Sequence, residues 1–342
     1  MAPNAVIFGC EGPVLTDWER EFFSDFDPLG FILFARNCES PEQVRALVAS
    51  LRASIGRAEA PVLIDQEGGR VARLKPPHWR AAPAAARFGL IAGGDRERAH
   101  EAVRLNARLI AAELADLGIT VDCAPVLDLP VPGSDEVIGD RAFGADAELV
   151  ADLGRAFCDG LLAGGVLPVV KHIPGHGRAR VDSHLGLPVV ETPRAELEVS
   201  DFRPFAALAD APWAMTGHVV YAAIDPDHPA TMSRTVIDEV IRGLIGFDGV
   251  LVTDDLSMKA LAGGYSARAA AALEAGCDLA LHCNGEPAEM TEVARGAGPV
   301  TAEAARRLAA AAARPDAPEA LDTAALASRL ERLLDPSQHP GL

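Results

Sequence analysis

Eight short apolar runs punctuate the chain, at 5–9, 30–34, 62–65, 119–124, 166–170, 213–216, 250–253 and 278–282. Most are rich in Val, Ile or Leu and do not alternate with polar residues. Strands buried on both faces of a parallel sheet have this appearance, because neither face meets water. Stretches with helical spacing lie between most of them. Ser40, Pro41 and Gln43 supply an N-cap, a first-turn proline and a capping-box glutamine. Val44, Leu47, Val48 and Leu51 then fall on one helical face. Helices are expected likewise over 96–117, 146–162, 234–244 and 257–274, the third capped by the Ser233 hydroxyl. Eight strands alternating with helices over 342 residues predict an α/β fold, a (β/α)8 TIM-type barrel, as one catalytic domain over 1–335. A doubly wound open sheet is the alternative. No GxGxxG follows the first run, so its dinucleotide-binding version has little support. The Pro- and Ala-rich stretch 75–92 reads as an insertion or cap after the third strand, and 336–342 as a flexible tail.

Composition narrows the function. The net charge of −18 argues against a nucleic-acid surface, which phosphate would repel. Six cysteines are scattered without paired spacing, as reduced core residues would be, so a reducing compartment and a cytoplasmic location are expected. The N-terminus lacks the basic start and long apolar run of a signal peptide. No run approaches the ~20 apolar residues of a membrane span. A monomer acting on a small molecule is the expectation.

The chemistry gathers after the strands. In a barrel of this kind the residues following each strand converge on one mouth. Strand three runs into Asp65, Glu67, Arg70 and Arg73, strand four into Asp128, and strand five into Lys171 and His172. Strand six is followed by His218, strand seven by Asp254 and Asp255, and strand eight by His282. Acidic, basic and imidazole groups in one pocket suit a polyhydroxylated substrate, since each hydroxyl needs a donor and an acceptor. Asp254 is the candidate nucleophile, placed to attack an anomeric carbon; the plainer reading is a helix cap, which fits Asp255 better. Arg70 reads as a surface ion pair, and Asp122 as a cap or pair inside the barrel.

The segment KHIPGHGRARVDSHLGLP, 171–188, is the densest in polar groups. Asp182 stands two residues from His184, a spacing that lets a carboxylate orient one ring nitrogen while the other handles a proton. Three readings stay open on these residues: a metal site of His172, His176, Asp182 and His184; a general acid/base of His184 with Asp182; or a polar loop with incidental histidines.

Taken with LGFILFARN (29–37), LIDQEGGRVARL (63–74), APVLDL (124–129), IGDRAFG (138–144), MTGHVVY (215–221) and VTDDLSMKAL (252–261), the segment resembles glycoside hydrolase family 3. Within it the chain is most similar to the single-domain bacterial cytoplasmic β-N-acetylglucosaminidases of peptidoglycan recycling. KHxPGHG followed closely by DSH, and later TDDLSM, carry the likeness. The resemblance implies Asp254 as catalytic nucleophile and His184 as an unusual acid/base with Asp182 as its dyad partner on a mobile loop. It implies Asp65, Arg73, Arg141, Lys171, His172 and His218 as residues that hold the terminal sugar, with Ser233 in a matching segment. It implies a muropeptide, or N-acetylglucosaminyl-anhydro-N-acetylmuramic acid, as substrate, and neither metal nor cofactor. Ile173 and Arg178-Ala179 depart from the commoner Phe and Asp-Thr, which bears on how the loop packs. Rival readings are a sugar phosphorylase on the same fold, a broader β-glycosidase, a metal-dependent hydrolase and a non-catalytic sugar-binding barrel.

Overall fold

The computed structural model describes residues 2–183, 186–314 and 321–335. The expected tail, 336–342, lies outside the described residues, as does His184. All eight runs form strands: β1 (Asn4–Phe8), β2 (Pro28–Leu33), β3 (Val62–Ile64), β4 (Val121–Asp122), β5 (Leu167–Ile173), β6 (Trp213–Thr216), β7 (Val250–Asp255) and β8 (Leu279–His282). They pair in chain order, all parallel, and β8 closes on β1 through Val6 opposite Ala280. The fold is a closed (β/α)8 barrel.

The runs are continuously apolar because alternate residues serve two cores. Val6, Phe31, Leu33, Val62, Ile64, Val170, Ala214, Leu251 and Ala280 belong to a core shared with the helices. Ile7, Ile32, Leu63, Val121, Val169, Trp213, Met215, Val250, Val252, Leu279 and Leu281 fill a second core, the lumen. This parity also decides which residues face the mouth. Asp65 follows Leu63 by two, Lys171 follows Val169, and Asp254 follows Val252, so each continues an inward row.

The helices keep to the sequence with informative exceptions. Ser40 caps Pro41–Ser54 by accepting from the Gln43 amide, but the Gln43 side chain accepts from the amide of Glu39 rather than of Ser40. Helices run Arg96–Asp116 and Ala147–Ala163. Val236–Leu244 has wide π-type turns, and the Ser233 hydroxyl accepts from the Val236 amide at 3.1 Å. The helix expected from Ser257 begins only at Tyr265. Asp255 instead caps a tight turn, taking the Ser257 amide at 3.0 Å and its hydroxyl at 2.5 Å, and Gly263 with φ of +84° breaks the path to any earlier helix.

The stretch 75–92 is no cap over the mouth. It holds a helix, Ala85–Ala92, and buttresses a hairpin from behind, the Ala82 carbonyl accepting from the Gly69 amide at 2.8 Å. That hairpin pairs Gln66–Gly68 with Val71–Ala72. Its reversal needs positive φ at Gly68 (101°) and Gly69 (59°), which only glycine adopts cheaply.

Candidate active site

One cavity of about 390 Å³ opens at the end of the barrel where the strands finish, within the size range of small-molecule sites. Ile32, Met215 and Leu281, the last inward apolar residues of their strands, form an apolar floor. Asp65, Glu67, Arg73, Arg141, Lys171 and His172 form a charged wall, and Asp254, Asp182 and Ser183 also line the space.

The wall is an alternating ion network. Arg73 Nη2 donates to Asp65 Oδ2 at 2.8 Å, and Lys171 Nζ donates to Asp65 Oδ1 at 2.8 Å. Lys171 Nζ lies 2.7 Å from Glu67 Oε1, and Arg141 grips both Glu67 oxygens at 2.8 and 2.9 Å. Three cations enclose two carboxylates. Burial alone would raise the carboxyl pKa of Asp65 and Glu67; the neighbouring cations, led by Lys171, outweigh it and hold both below the carboxylate range. Burial would likewise strip the Lys171 proton, and Asp65 and Glu67 keep it on. The Gln66 side chain stabilises the hairpin that brings Asp65 and Arg73 together, accepting from the Arg73 and Leu74 amides at 2.9 and 3.0 Å and donating to the Leu74 carbonyl at 3.0 Å.

Lys171 and His172 are neighbours on β5, yet both reach the cavity. The β5–β6 register slips between Lys171 and Ile173, and such a bulge re-aims a side chain. His172 Nδ1 sits 2.7 Å from Asp128 Oδ2, which leaves Nε2 as its other polar atom. Asp128 is fully buried and also accepts from the His176 amide at 2.6 Å. Burial would raise its pKa, but His172 and His176 pull it down.

Asp254 accepts the Asp255 amide at 2.8 Å. Burial opposes its ionisation, and His172, His218, that amide and Lys171 together reverse the effect, keeping the carboxylate charged. An ionised carboxylate beside an apolar floor has the state a nucleophile needs. Asp255, one residue on, is tied to Ser257 and to the Cys283 amide at 3.2 Å.

His218, expected to hold the sugar, does not line the cavity. It is fully buried, with Nε2 donating to the Asp255 carbonyl at 3.0 Å and Nδ1 2.7 Å from the Thr231 hydroxyl. Burial lowers its pKa, and with both ring nitrogens taken it braces β7 from behind. Glu67, Asp128 and His176 join the site without having been singled out for the sugar. Arg178 answers the question raised by its departure from the commoner sequence: it pairs with Asp201 at 2.7 Å and Glu196 at 2.9 Å, tying the loop base to the neighbouring helix. Among the described residues no group of three or more His, Cys, Asp or Glu side chains could hold a metal ion. Nor, among them, is any helix long and apolar enough to cross a membrane.

Residues 16–312 match the glycosyl hydrolase family 3 N terminal domain. The chain belongs to this family. It is 42% identical over 288 residues to a beta-hexosaminidase of Alkalilimnicola ehrlichii, covering 83% of this chain and 82% of that one. The structure of NagZ from Neisseria gonorrhoeae in complex with N-trifluoroacetyl-D-glucosamine superposes with a TM-score of 0.88 at 33% identity, covering 98% of this chain and 99% of the other. A family 3 beta-N-acetylglucosaminidase from a Paenibacillus strain matches with a TM-score of 0.83 at 33% identity, covering 96% of this chain and 67% of its own. The family 3 barrel described above is thus a glycoside hydrolase.

Proposed function

We propose that this family 3 hydrolase is a retaining β-N-acetylglucosaminidase that removes terminal β-linked N-acetylglucosamine from peptidoglycan-derived muropeptides in the cytoplasm. The observation that carries the reading is the meeting of Asp254 and Asp182 in one cavity with the Arg73–Asp65–Lys171–Glu67–Arg141 network. The names of its relatives, beta-hexosaminidase among sequences and NagZ with a bound glucosamine derivative among structures, support the sugar.

On this reading the charged wall takes the hydroxyls of the terminal sugar and sets its anomeric carbon over Asp254. The Asp254 carboxylate attacks that carbon, and the bond to the aglycone oxygen breaks. His184 donates the proton that leaves with the aglycone. His184, now neutral, then takes a proton from water, which attacks the glycosyl-enzyme and releases Asp254 with net retention. Two carboxylic acids usually share these tasks. An imidazole has an unperturbed pKa near 6.5, so it is an acid near neutrality without the burial a glutamic acid requires. Asp182, two residues away, favours the protonated ring through its charge.

Incubation with a chromogenic N-acetylglucosaminide beside the matching glucoside tests the sugar; preference for the N-acetyl substrate is expected. A fluorinated N-acetylglucosaminyl donor with a good leaving group should accumulate a covalent adduct on Asp254, read by peptide mass spectrometry. An adduct elsewhere, or a product of inverted configuration, would defeat the mechanism. His184→Ala should lose most activity on poor leaving groups and least on acidic ones.

A further inference from the structure

Among the described residues of 180–187, Ser183 alone is buried, at 3% exposure. Arg180, Val181 and Leu187 are exposed, and Asp182 is half-buried at the cavity wall. Both ends of this strip are fixed. At its start a Cβ on Gly177 would lie 2.0 Å from the Leu129 carbonyl oxygen, so the chain there runs against backbone. The Ala179 carbonyl accepts the Asp135 amide at 2.8 Å. At its far end Val189–Val190 pairs with Val220–Tyr221.

Ser183 gives the strip an inner fastening. Its Oγ lies 3.2 Å from His176 Nε2, and its carbonyl accepts the Ala260 amide at 3.2 Å. A hydroxyl both donates and accepts, so the ring contact forms with either tautomer. Ala260 belongs to the segment that continues from Asp254. His176 in turn donates its amide to Asp128, and Asp128 holds the His172 ring. A hydrogen-bonded chain therefore runs Ser183, His176, Asp128, His172, from the strip that bears Asp182 to the wall of the cavity.

We infer that Ser183 is a positioning residue for the acid/base step: it registers the strip carrying Asp182 against both the His172 wall and the segment following Asp254. The inference rests on the proposed function, in which His184 transfers the proton and Asp182 is its dyad partner. A general acid must come within ~2.6–3.2 Å of its target oxygen, and a misplacement of ~1 Å can cost ~100-fold. The end fastenings at Ala179 and Val189 lie farther along the chain from Asp182 than Ser183, which adjoins it. The side chain of Ser183 takes no part in bonding changes, so its loss acts through its neighbours.

The test compares kcat/KM for two N-acetylglucosaminides, one with a dinitrophenyl and one with a methyl leaving group. Ser183→Ala is expected to lose ~10- to 100-fold on the methyl glycoside, which depends on the acid, and less than about threefold on the dinitrophenyl one, which leaves without protonation. Ser183→Cys, close in shape but a weak hydrogen-bonder, should fall between wild type and Ser183→Ala on the methyl glycoside. Equal losses on both substrates, or none on either, would overturn the inference. So would a Ser183→Cys variant as impaired as Ser183→Ala despite wild-type unfolding behaviour. Labelling of wild-type Asp254 by the fluorinated donor separates the two levels. Without it the proposed function falls and takes this inference with it, whereas labelling with an undiscriminating Ser183→Ala defeats the inference alone.

Discussion

Lys171 and Ser183 belong to one stretch of chain and border one cavity, yet they are held in different ways. Lys171 is on a barrel strand, 2% exposed, with its charge shared between Asp65 and Glu67. Ser183 is on a strip outside the barrel, held by two contacts of 3.2 Å. The charged wall of the cavity is therefore part of the fold's own stability, whereas the strip is held by fewer and weaker contacts. Charge neutralised in a buried network cannot be removed piecemeal, because each deletion strands its partner. A hydrogen bond to a neutral hydroxyl can be removed at ~1 kcal/mol.

That contrast can be broken at graded points. Asp254→Asn is the most severe for catalysis: kcat/KM should fall on the order of 10⁴-fold or more, with the unfolding midpoint in urea unchanged, since the Asp255 amide keeps its acceptor. Lys171→Met should cost about 3–5 kcal/mol in equilibrium unfolding as well as sugar binding, because two buried carboxylates lose their shared cation. A Lys171→Met variant as stable as wild type would show that the wall contributes nothing to the stability of the fold.

Asp122 sharpens the comparison by pH. It lies fully buried on β4, accepts the Gln66 amide at 2.9 Å, and burial lifts its pKa to about 8 despite that amide and Lys171. A carboxyl raised from its ordinary 3.8 favours the fold in its protonated form. Its contribution is full below that ordinary value, declines as pH rises, and is lost above about 8. Asp122→Asn cannot ionise and keeps the acceptor for Gln66. The stability of this variant relative to wild type should therefore climb from pH ~4 to ~8 and then level off, in urea titrations across that range. The smallest effect is expected at the loop base. Arg178→Ala should cost about 3 kcal/mol, at the low end for a broken buried pair, because Asp201 is 2% exposed and loses its cation while Ser200 still donates to it.

The barrel was legible because doubly buried strands leave unbroken apolar runs. The continuation of each inward row to Asp65, Lys171 and Asp254 is equally a property of the sequence. Glu67, two residues beyond Asp65, carries the same signal and stands among the mouth residues read from the sequence, though without a role in holding a sugar. Asp128 is likewise named after strand four, but its pairing with His172 is foreshadowed only by its being a lone carboxylate inside the apolar run APVLDL, where an unpaired acid is costly. His218 misled because a histidine after a strand looks the same in sequence whether it faces the mouth or braces the next strand. The two short ribbons, 66–72 and 189–190 with 220–221, are too brief for periodicity to register. The helix over 257–274 was anticipated too early because Asp255 and Ser257 mimic a cap while closing only a turn.

Asp254 and Asp255 are adjacent carboxylates, and the second cannot replace the first. Both oxygens of Asp255 are committed, one to the Ser257 and Cys283 amides and the other to the Ser257 hydroxyl. A descendant of this chain that lost Asp254 would have no understudy in the next position. It would keep the cavity, its charged wall and an intact barrel, and lose the ionised carboxylate beside the apolar floor in a single mutational step.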